Sequence, residues 1–229
     1  MIMFRTSTIR LWSALLLAAL ASVSCADAQN KPPSMNSIKS NPMESQQQRE
    51  VAILAGGCFW CVEAVYELVE GVISVESGYI GGTVVNPTYK EVCEGTTGHA
   101  EACRVTFDPS VITFADVLQV FFAAHDPTTL NRQGNDVGTQ YRSAIFTLNA
   151  EQEVTSRAYV KQLAASGTWA DPIVTEITPA ETFYKAEDYH QNFKALNPNQ
   201  GYVRAVVDPK TEKFKHTLED KGKIKPEEK

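Results

Sequence analysis

Residues 51–61, with the sequence VAILAGGCFWC, join two kinds of hydrophobic pattern and decide the fold. The first five residues are an uninterrupted apolar run, which predicts a buried strand, and Gly56-Gly57 predicts a turn. From Cys58 the apolar residues recur at helical spacing as far as Gly71, so we predict a helix that begins at Cys58. The stretch therefore predicts a strand, a turn and a helix in direct succession.

The chain downstream continues with further strand and helix patterns. It predicts strands at residues 72–80, 102–107, 143–148 and 173–177, and helices at residues 114–124 and 150–165. The first of these helices follows Thr113, which forms a capping-box pattern with Asp116. This order predicts an α+β fold, a two-layer sandwich with a ferredoxin-like (split βαβ) mixed sheet and helices. A long irregular C-terminal segment is expected at residues 178–203.

The composition excludes several classes of protein. There are 21 Lys and Arg residues against 27 Asp and Glu, so the net charge is −6, and 43% of the residues are hydrophobic, as in an ordinary globular protein. We expect no nucleic-acid binding, because the chain is acidic and shows no basic stripe. Five cysteines in 229 residues are too few for a disulfide-rich small scaffold.

Residues 1–28 have the pattern of a secretory signal peptide. Two arginines precede an apolar run at residues 11–23, which is too short to span a bilayer, and an A-x-A cleavage site ends at Ala28. We therefore expect an exported, periplasmic protein with no stable membrane insertion after cleavage. Lipid modification of Cys25 and an uncleaved, membrane-anchored helix are the alternatives.

The remaining chain divides into three parts. Residues 29–50 are polar and lack apolar periodicity, which predicts a flexible spacer. The folded domain is predicted for residues 51–219. Residues 220–229 are rich in charge and predict a loose tail.

The turn before the first helix contains two cysteines. We expect Cys58 at the helix N-terminus, where unpaired N–H groups and the helix dipole stabilise a thiolate, the nucleophilic form of cysteine. Cys61 lies about one helical turn later, within reach of Cys58. A static disulfide, a pair of core thiols and a metal site are the alternatives, although a metal needs further ligands at suitable spacing. Phe59 and Trp60 are either core residues or the walls of an apolar pocket for a small group such as a methyl.

A series of motifs along residues 51–203 is similar to the A-type peptide methionine sulfoxide reductase family. Each motif is weak alone, but the ordered series is highly specific. The motifs are Gly57-Cys58-Phe59-Trp60, Gly78-Tyr79-Ile80-Gly81-Gly82, Asn86-Pro87-Thr88-Tyr89-Lys90-Glu91-Val92-Cys93, Gly98-His99-Ala100-Glu101, His125-Asp126-Pro127, Gln133-Gly134-Asn135-Asp136-Val137-Gly138-Thr139-Gln140-Tyr141-Arg142-Ser143 and Ala186-Glu187-Asp188-Tyr189-His190-Gln191. The resemblance implies reduction of methionine S-sulfoxide, free or in oxidised proteins, to methionine.

The resemblance also implies roles for individual residues. Cys58 matches the nucleophile that attacks the sulfoxide sulfur. Glu91 matches the acid that protonates the departing oxygen, so its pocket has to be apolar enough to keep it protonated. The hydroxyls of Tyr79 and Tyr141 match those that bind the sulfoxide oxygen. Without the resemblance, Glu91 would be interpreted as a solvated loop carboxylate and the two tyrosines as residues at strand edges.

Four residues are expected to bind the substrate. Phe59 and Trp60 would form the pocket for the methyl group, and Asp136 matches a family residue near the substrate backbone and Trp60. His190 lies in a family motif and is also expected at the substrate, with a buried core histidine as the alternative.

The reaction that the resemblance implies leaves a sulfenic acid on Cys58, which a second thiol can resolve. Many relatives carry a resolving cysteine after a Gly-Tyr pair near the C-terminus, whereas no cysteine follows Cys103 in this sequence. We therefore predict a Cys58–Cys61 disulfide, with Cys93 as the rival resolving residue.

Turnover then requires a partner that reduces this disulfide. A thioredoxin-like dithiol protein is implied, acting outside the cytoplasm, and we expect no organic cofactor and no metal. The resemblance also suggests a monomer. Two other functions are the alternatives: an extracytoplasmic thiol–disulfide oxidoreductase, and an exported interaction or metal-carrying module with C-x-x-C ligands.

Overall fold

The structure is a computed structural model that describes residues 49–220 and Lys225. The predicted signal peptide, Cys25 and nearly all of the predicted spacer lie outside the described residues, as does most of the predicted tail. The strands are β1 (Glu50–Gly56), β2 (Val72–Ile80), β3 (Ala100–Phe107), β4 (Arg132–Gln133), β5 (Asp136–Val137), β6 (Ser143–Thr147), β7 (Glu176–Pro179) and β8 (Tyr184–Lys185). The α-helices are α1 (Phe59–Tyr66), α2 (Tyr89–Cys93), α3 (Phe114–Ala124), α4 (Ala150–Ala165), α5 (Phe193–Leu196) and α6 (Asp208–Asp220).

Six strands form one sheet in the order β7-β6-β1-β3-β2-β8. The central four, β6-β1-β3-β2, pair antiparallel, which is the split βαβ order that the sequence predicts. Strand β7 pairs in parallel with β6 after the crossover through α4, so the sheet is mixed. Strands β4 and β5 form a separate two-stranded ribbon.

The sheet separates a large core from a small one. Successive side chains of a strand point to opposite faces, so Leu54 and Cys103 join the large core while Ile53 and Ala102 join the small one. Helices α1 and α3 contact the large-core face and each other. This packing fixes the position of the turn between β1 and α1.

The long helices agree best with the sequence predictions. Helices α3 and α4 have the predicted bounds, and Thr113 forms the predicted capping box with Asp116. Strand β7 begins three residues later than the predicted strand at residues 173–177. The segment predicted as irregular contains the short elements β8 and α5.

The C-terminal region holds a helix that we did not predict. A π-helical turn, Val203–Val207, continues directly into α6, which packs against α1. Val203, Val207 and Phe214 are buried at helical spacing, so the apolar signal is present but diluted by charged neighbours. Of the described helices, none combines the length and hydropathy that a bilayer-spanning segment needs.

Candidate active site

The turn between β1 and α1 places Cys58 at the start of a helix. Gly57 has a φ of +93°, and a Cβ built on it would lie 2.6 Å from the side chain of Gln133, so this turn requires glycine. Cys58 is the N-cap residue, and its carbonyl accepts hydrogen bonds from the N–H groups of Cys61 and Val62 at 3.1 and 3.3 Å. The predicted position of Cys58 is therefore confirmed.

The two thiols form a close, buried pair. Cys58 and Cys61 are free cysteines, 6% and 2% exposed, and their thiols interact closely enough to shift each other's pKa. Burial, followed by the contact with Cys61 and the charge of Glu101, raises the pKa of the Cys58 thiol. The pKa of Cys61 is lowered, chiefly by its hydrogen bond with Cys58. The expectation of a thiolate at Cys58 is therefore wrong, because burial, the largest cause, raises the pKa of this thiol.

A buried carboxyl group lies directly beside the turn that carries Cys58. Glu101, in β3, is 1% exposed, and its Oε2 accepts a hydrogen bond of 3.1 Å from the backbone N–H of Phe59. Burial raises the pKa of Glu101 to about 8, and the N–H of Phe59 offsets only part of this rise. Glu101 therefore keeps its proton at neutral pH and can donate it.

Two tyrosines lie around this carboxyl group. Tyr89 is the first residue of α2, and Tyr141 ends a short 3₁₀ turn that contacts β3. Burial raises the pKa of both hydroxyls, and the charge of Glu101 is the second cause. An interaction with the thiol of Cys93 raises the pKa of Tyr89 further. The predicted position of Tyr141 at the site thus agrees with the structure, and Tyr89 joins it.

Glu91 is not in the predicted apolar pocket. It is exposed at the start of α2, where its Oε2 accepts hydrogen bonds from the N–H and hydroxyl of Thr88 at 2.8 and 2.7 Å. These bonds lower its pKa, which is the opposite of the expected shift. The expectation of a protonated Glu91 is therefore wrong: this side chain completes a capping box.

Tyr79 also differs from its expected role. It is 1% exposed, and its hydroxyl donates to Glu187 Oε2 at 2.8 Å instead of pointing to an open site. Its pKa is raised by burial and by Glu187. We therefore infer that the Tyr79 hydroxyl holds the segment around Glu187 in place.

Aromatic rings form one side of the site. The ring of Phe59 lies 6.0 Å from that of Trp60 and 6.3 Å from that of Tyr89, measured between centroids. Phe193 stacks on Trp60 with 3.7 Å between centroids and an angle of 6°. His190 is 1% exposed and accepts a hydrogen bond from the indole N–H of Trp60, so it lies behind the pocket.

A cavity of about 370 Å³ is lined by both cysteines. Its walls include Cys58, Cys61, Asp136, Tyr202 and Lys210. The hydroxyl of Tyr202 donates to Asp136 Oδ2 at 2.7 Å and contacts the thiol of Cys58. Asp136 thus lies at the predicted site. Within residues 49–220 and Lys225, no group of three or more His, Cys, Asp or Glu side chains is arranged to hold a metal ion.

Sequence reasoning missed Glu101 and Tyr89, although each carries a signal. Glu101 lies two residues before Cys103 and four before Val105, so all three side chains point to the large-core face of β3. A predicted strand that began at residue 100 instead of 102 would have placed Glu101 in the core. The spacing of Thr88 and Glu91 is that of a capping box, which predicts a helix that begins at Tyr89.

Comparisons with known proteins agree on one family. The sequence model of the family described as "Peptide methionine sulfoxide reductase" matches residues 50–222. "Peptide methionine sulfoxide reductase MsrA" of Deinococcus radiodurans is 59% identical over 186 residues, covering 81% of this chain and 89% of that protein. The solved structure of reduced Mxr1 from Saccharomyces cerevisiae has a TM-score of 0.64 and 35% identity, covering 72% of this chain and 92% of that chain. Methionine sulfoxide reductase A of Corynebacterium diphtheriae has a TM-score of 0.62 and 39% identity, covering 68% and 78%.

Proposed function

Because this chain belongs to the peptide methionine sulfoxide reductase family and is an enzyme of the MsrA type, we propose that Cys58 reduces the S-diastereomer of methionine sulfoxide by direct attack. The substrate is free methionine sulfoxide or an oxidised methionine in a protein. The comparisons favour this function over a general thiol–disulfide oxidoreductase.

The buried carboxyl of Glu101 is the observation that carries this mechanism. Sulfoxide oxygen leaves only when it is protonated, so the site needs an acid that holds its proton at neutral pH. Glu101 has a pKa of about 8 and lies against the N–H of Phe59, the residue after the nucleophile. We therefore assign to Glu101 the role that the sequence analysis gave to Glu91.

The first step transfers oxygen from the substrate to the enzyme. The sulfur of Cys58 attacks the sulfoxide sulfur while Glu101 gives its proton to the oxygen. The substrate S–O bond breaks, the oxygen ends on Cys58 as a sulfenic acid, and methionine leaves reduced by two electrons. The proton of the Cys58 thiol returns to Glu101, so the step consumes no net proton.

Tyr89 and Tyr141 assist this step as neutral hydrogen-bond donors. Burial and the neighbouring Glu101 raise the pKa of both phenols, so both hydroxyls keep their protons. Donors that are fixed before the reaction stabilise charge that develops on the oxygen. Tyr89 takes the place that the sequence analysis gave to Tyr79.

The aromatic side of the site holds the methyl group. Trp60, the second residue after Cys58, is half-buried, and the buried ring of Phe59 packs against both Trp60 and Tyr89. A pocket of rings favours the small apolar end of the side chain. Asp136, in the wall of the adjacent cavity, is placed to contact the substrate backbone.

Cys61 resolves the sulfenic acid. Its thiol lies one helical turn from Cys58 and interacts with that thiol, so its sulfur can displace the hydroxyl as water and form a Cys58–Cys61 disulfide. The rival, Cys93, is an exposed thiol that interacts with Tyr89. The direct contact of the two helix cysteines favours Cys61.

A thioredoxin-like dithiol protein restores the thiols. Reduction requires a thiolate to reach one sulfur of the disulfide, and the cavity beside Cys58 and Cys61 gives that access. We propose that this exchange takes place outside the cytoplasm in a monomeric, exported enzyme. The pattern of residues 1–28 supports export, with lipid attachment at Cys25 as the alternative.

A single turnover of the reduced protein tests the mechanism. We expect a peptide with methionine S-sulfoxide to yield one methionine per enzyme and a Cys58–Cys61 disulfide, identified by peptide mass. The R-sulfoxide peptide should yield neither. Unchanged thiols with both peptides would contradict the proposed function.

Two matched variants test the resolving cysteine. We expect Cys61→Ser to form methionine but to stop at a sulfenic acid, which a dimedone probe would trap. Cys93→Ser should still form the disulfide at the wild-type rate. An intramolecular disulfide that forms in Cys61→Ser at the wild-type rate would show that Cys61 is not the resolving residue.

A further inference from the structure

Trp60 is held by one polar contact in an otherwise apolar setting. Its ring is half-buried and is stacked on Phe193 with 3.7 Å between centroids. The rings of Tyr89 and Tyr202 lie around it, with centroids 6.4 and 5.7 Å from that of Trp60. The indole N–H is the only polar group of this side chain, so its hydrogen bond adds a directional constraint to the ring packing.

That N–H donates to Nδ1 of His190 at 3.1 Å. His190 is 1% exposed, so water does not compete for the bond. Accepting a bond at Nδ1 needs a lone pair there, so the imidazole is neutral and carries its proton on Nε2. The bond to Trp60 therefore exists in one protonation state and one tautomer of His190.

The other ring nitrogen faces a carboxylate. Among the described residues, Nε2 of His190 has no hydrogen-bond partner, and Oε2 of Glu187 lies 3.9 Å away. Glu187 is itself fixed, because it accepts bonds from the Tyr79 hydroxyl at 2.8 Å and from the Tyr89 N–H at 2.9 Å. Its negative charge favours the proton on Nε2, which leaves Nδ1 free for Trp60.

We propose that His190 is a positioning residue, whose Nδ1 holds the Trp60 indole in the orientation that receives the methyl group of the substrate. The inference rests on the proposed function, in which Trp60 lines the methyl pocket. It replaces the expectation that His190 touches the substrate. Glu187 acts through His190 by setting its tautomer.

Three substitutions separate this role from simple packing. The amide of His190→Asn can present an oxygen near the position of Nδ1, the amide of His190→Gln reaches the position of Nε2, and His190→Leu has no polar atom. We expect His190→Leu and His190→Gln to raise the half-saturating concentration of S-sulfoxide peptide in single turnover about 5- to 10-fold, as for one lost hydrogen bond. His190→Asn should restore most of the wild-type value, and the maximal rate should change little.

The same substitutions in a Trp60→Phe background complete the test. Phenylalanine has no N–H, so His190→Leu should cause no further rise there. An equal rise in both backgrounds, or equal values for His190→Asn and His190→Gln, would overturn the positioning role.

The indole N–H signal of Trp60 in an NMR spectrum, assigned by its loss in Trp60→Phe, gives a second readout. It should shift in His190→Leu and stay near its wild-type position in His190→Asn. An unshifted signal in His190→Leu would overturn the proposal, whereas failure of wild-type enzyme to produce methionine would overturn the proposed function instead.

Discussion

Glu91 and Glu101 are two glutamates ten residues apart, yet the fold places them in opposite environments. Glu91 is exposed at the start of α2, where hydrogen bonds from Thr88 lower its pKa. Glu101 is buried in β3, where loss of solvent raises its pKa to about 8. The difference shows that hydration and local donors decide whether a carboxyl group supports the fold or supplies a proton.

The two groups also act on stability in opposite directions. A carboxylate that caps a helix satisfies backbone N–H groups and stabilises the fold. The buried carboxyl group of Glu101 accepts a hydrogen bond from the Phe59 N–H, yet its pKa is raised, and this costs folding free energy wherever the unfolded chain would ionise it. The proton that Glu101 keeps for catalysis is therefore held at the expense of stability.

The largest expected effect is on catalysis, from the pair of variants Glu101→Gln and Glu91→Gln. Glutamine at 101 keeps an acceptor for the Phe59 N–H but has no acidic proton. We expect the rate of methionine formation in single turnover to fall about 10²- to 10⁴-fold, the usual contribution of a general acid. Glu91→Gln should retain the wild-type rate, since this side chain is exposed at a helix cap.

Equal losses of the single-turnover rate in the two variants would show that the two glutamates do not differ in their contribution to catalysis. A wild-type rate in Glu101→Gln together with a large loss in Glu91→Gln would return the proton-donor role to the residue that the sequence analysis assigned. Circular dichroism and the wild-type number of free thiols would confirm that both variants are folded.

The second effect is on the pH dependence of stability. The Glu101 carboxyl ionises near pH 4.5 in an unfolded chain but keeps its proton up to about pH 8 in the fold. Wild-type protein therefore loses stability as pH rises through this window, by up to about 1.4 kcal/mol per unit. We expect Glu101→Gln to be more stable than wild type by roughly 2–5 kcal/mol at pH 8, with little difference at pH 4.

Urea unfolding at several pH values measures this difference. Glu91→Gln is the matched control and should show the opposite sign, since a lowered pKa stabilises the fold above the unfolded pKa and the benefit is lost in acid. A Glu101→Gln variant whose stability relative to wild type did not change with pH would show that Glu101 ionises normally in the fold.

The sequence was sufficient for the position of Cys58 but not for that of Glu101, the proposed proton donor. Cys58 follows a buried strand and glycine turn, and both signals are local. The environment of Glu101 depends on β3 lying between β1 and β2 and on α1 covering it, which no local pattern contains. Motif matching alone placed the acid on Glu91, whose spacing from Thr88 is a local capping signal.

Prediction of the fold was limited in the same way, because only local patterns can be recognised in the sequence. Helices α3 and α4 were predicted with their observed bounds because capping residues and hydrophobic spacing agree within each segment. The C-terminal π-helical turn and α6 depend on packing against α1, and their charged sequence hides the few apolar residues that make this contact. The position of His190 behind Trp60 likewise arises from contacts 130 residues apart.

The smallest expected effect concerns the helix cap that contains Glu91, and it tests whether this cap affects stability alone. Thr88 and Thr113 form capping boxes of the same kind, at the starts of α2 and α3. We expect Thr88→Ala and Thr113→Ala each to lower the free energy of unfolding by about 1 kcal/mol, measured by urea unfolding. Thr88→Ala should keep its single-turnover rate, because the Tyr89 N–H is also held by Glu187 at 2.9 Å. A much lower rate in Thr88→Ala than in Thr113→Ala, at equal loss of stability, would show that the α2 cap positions Tyr89 and that Glu91 serves the site through it.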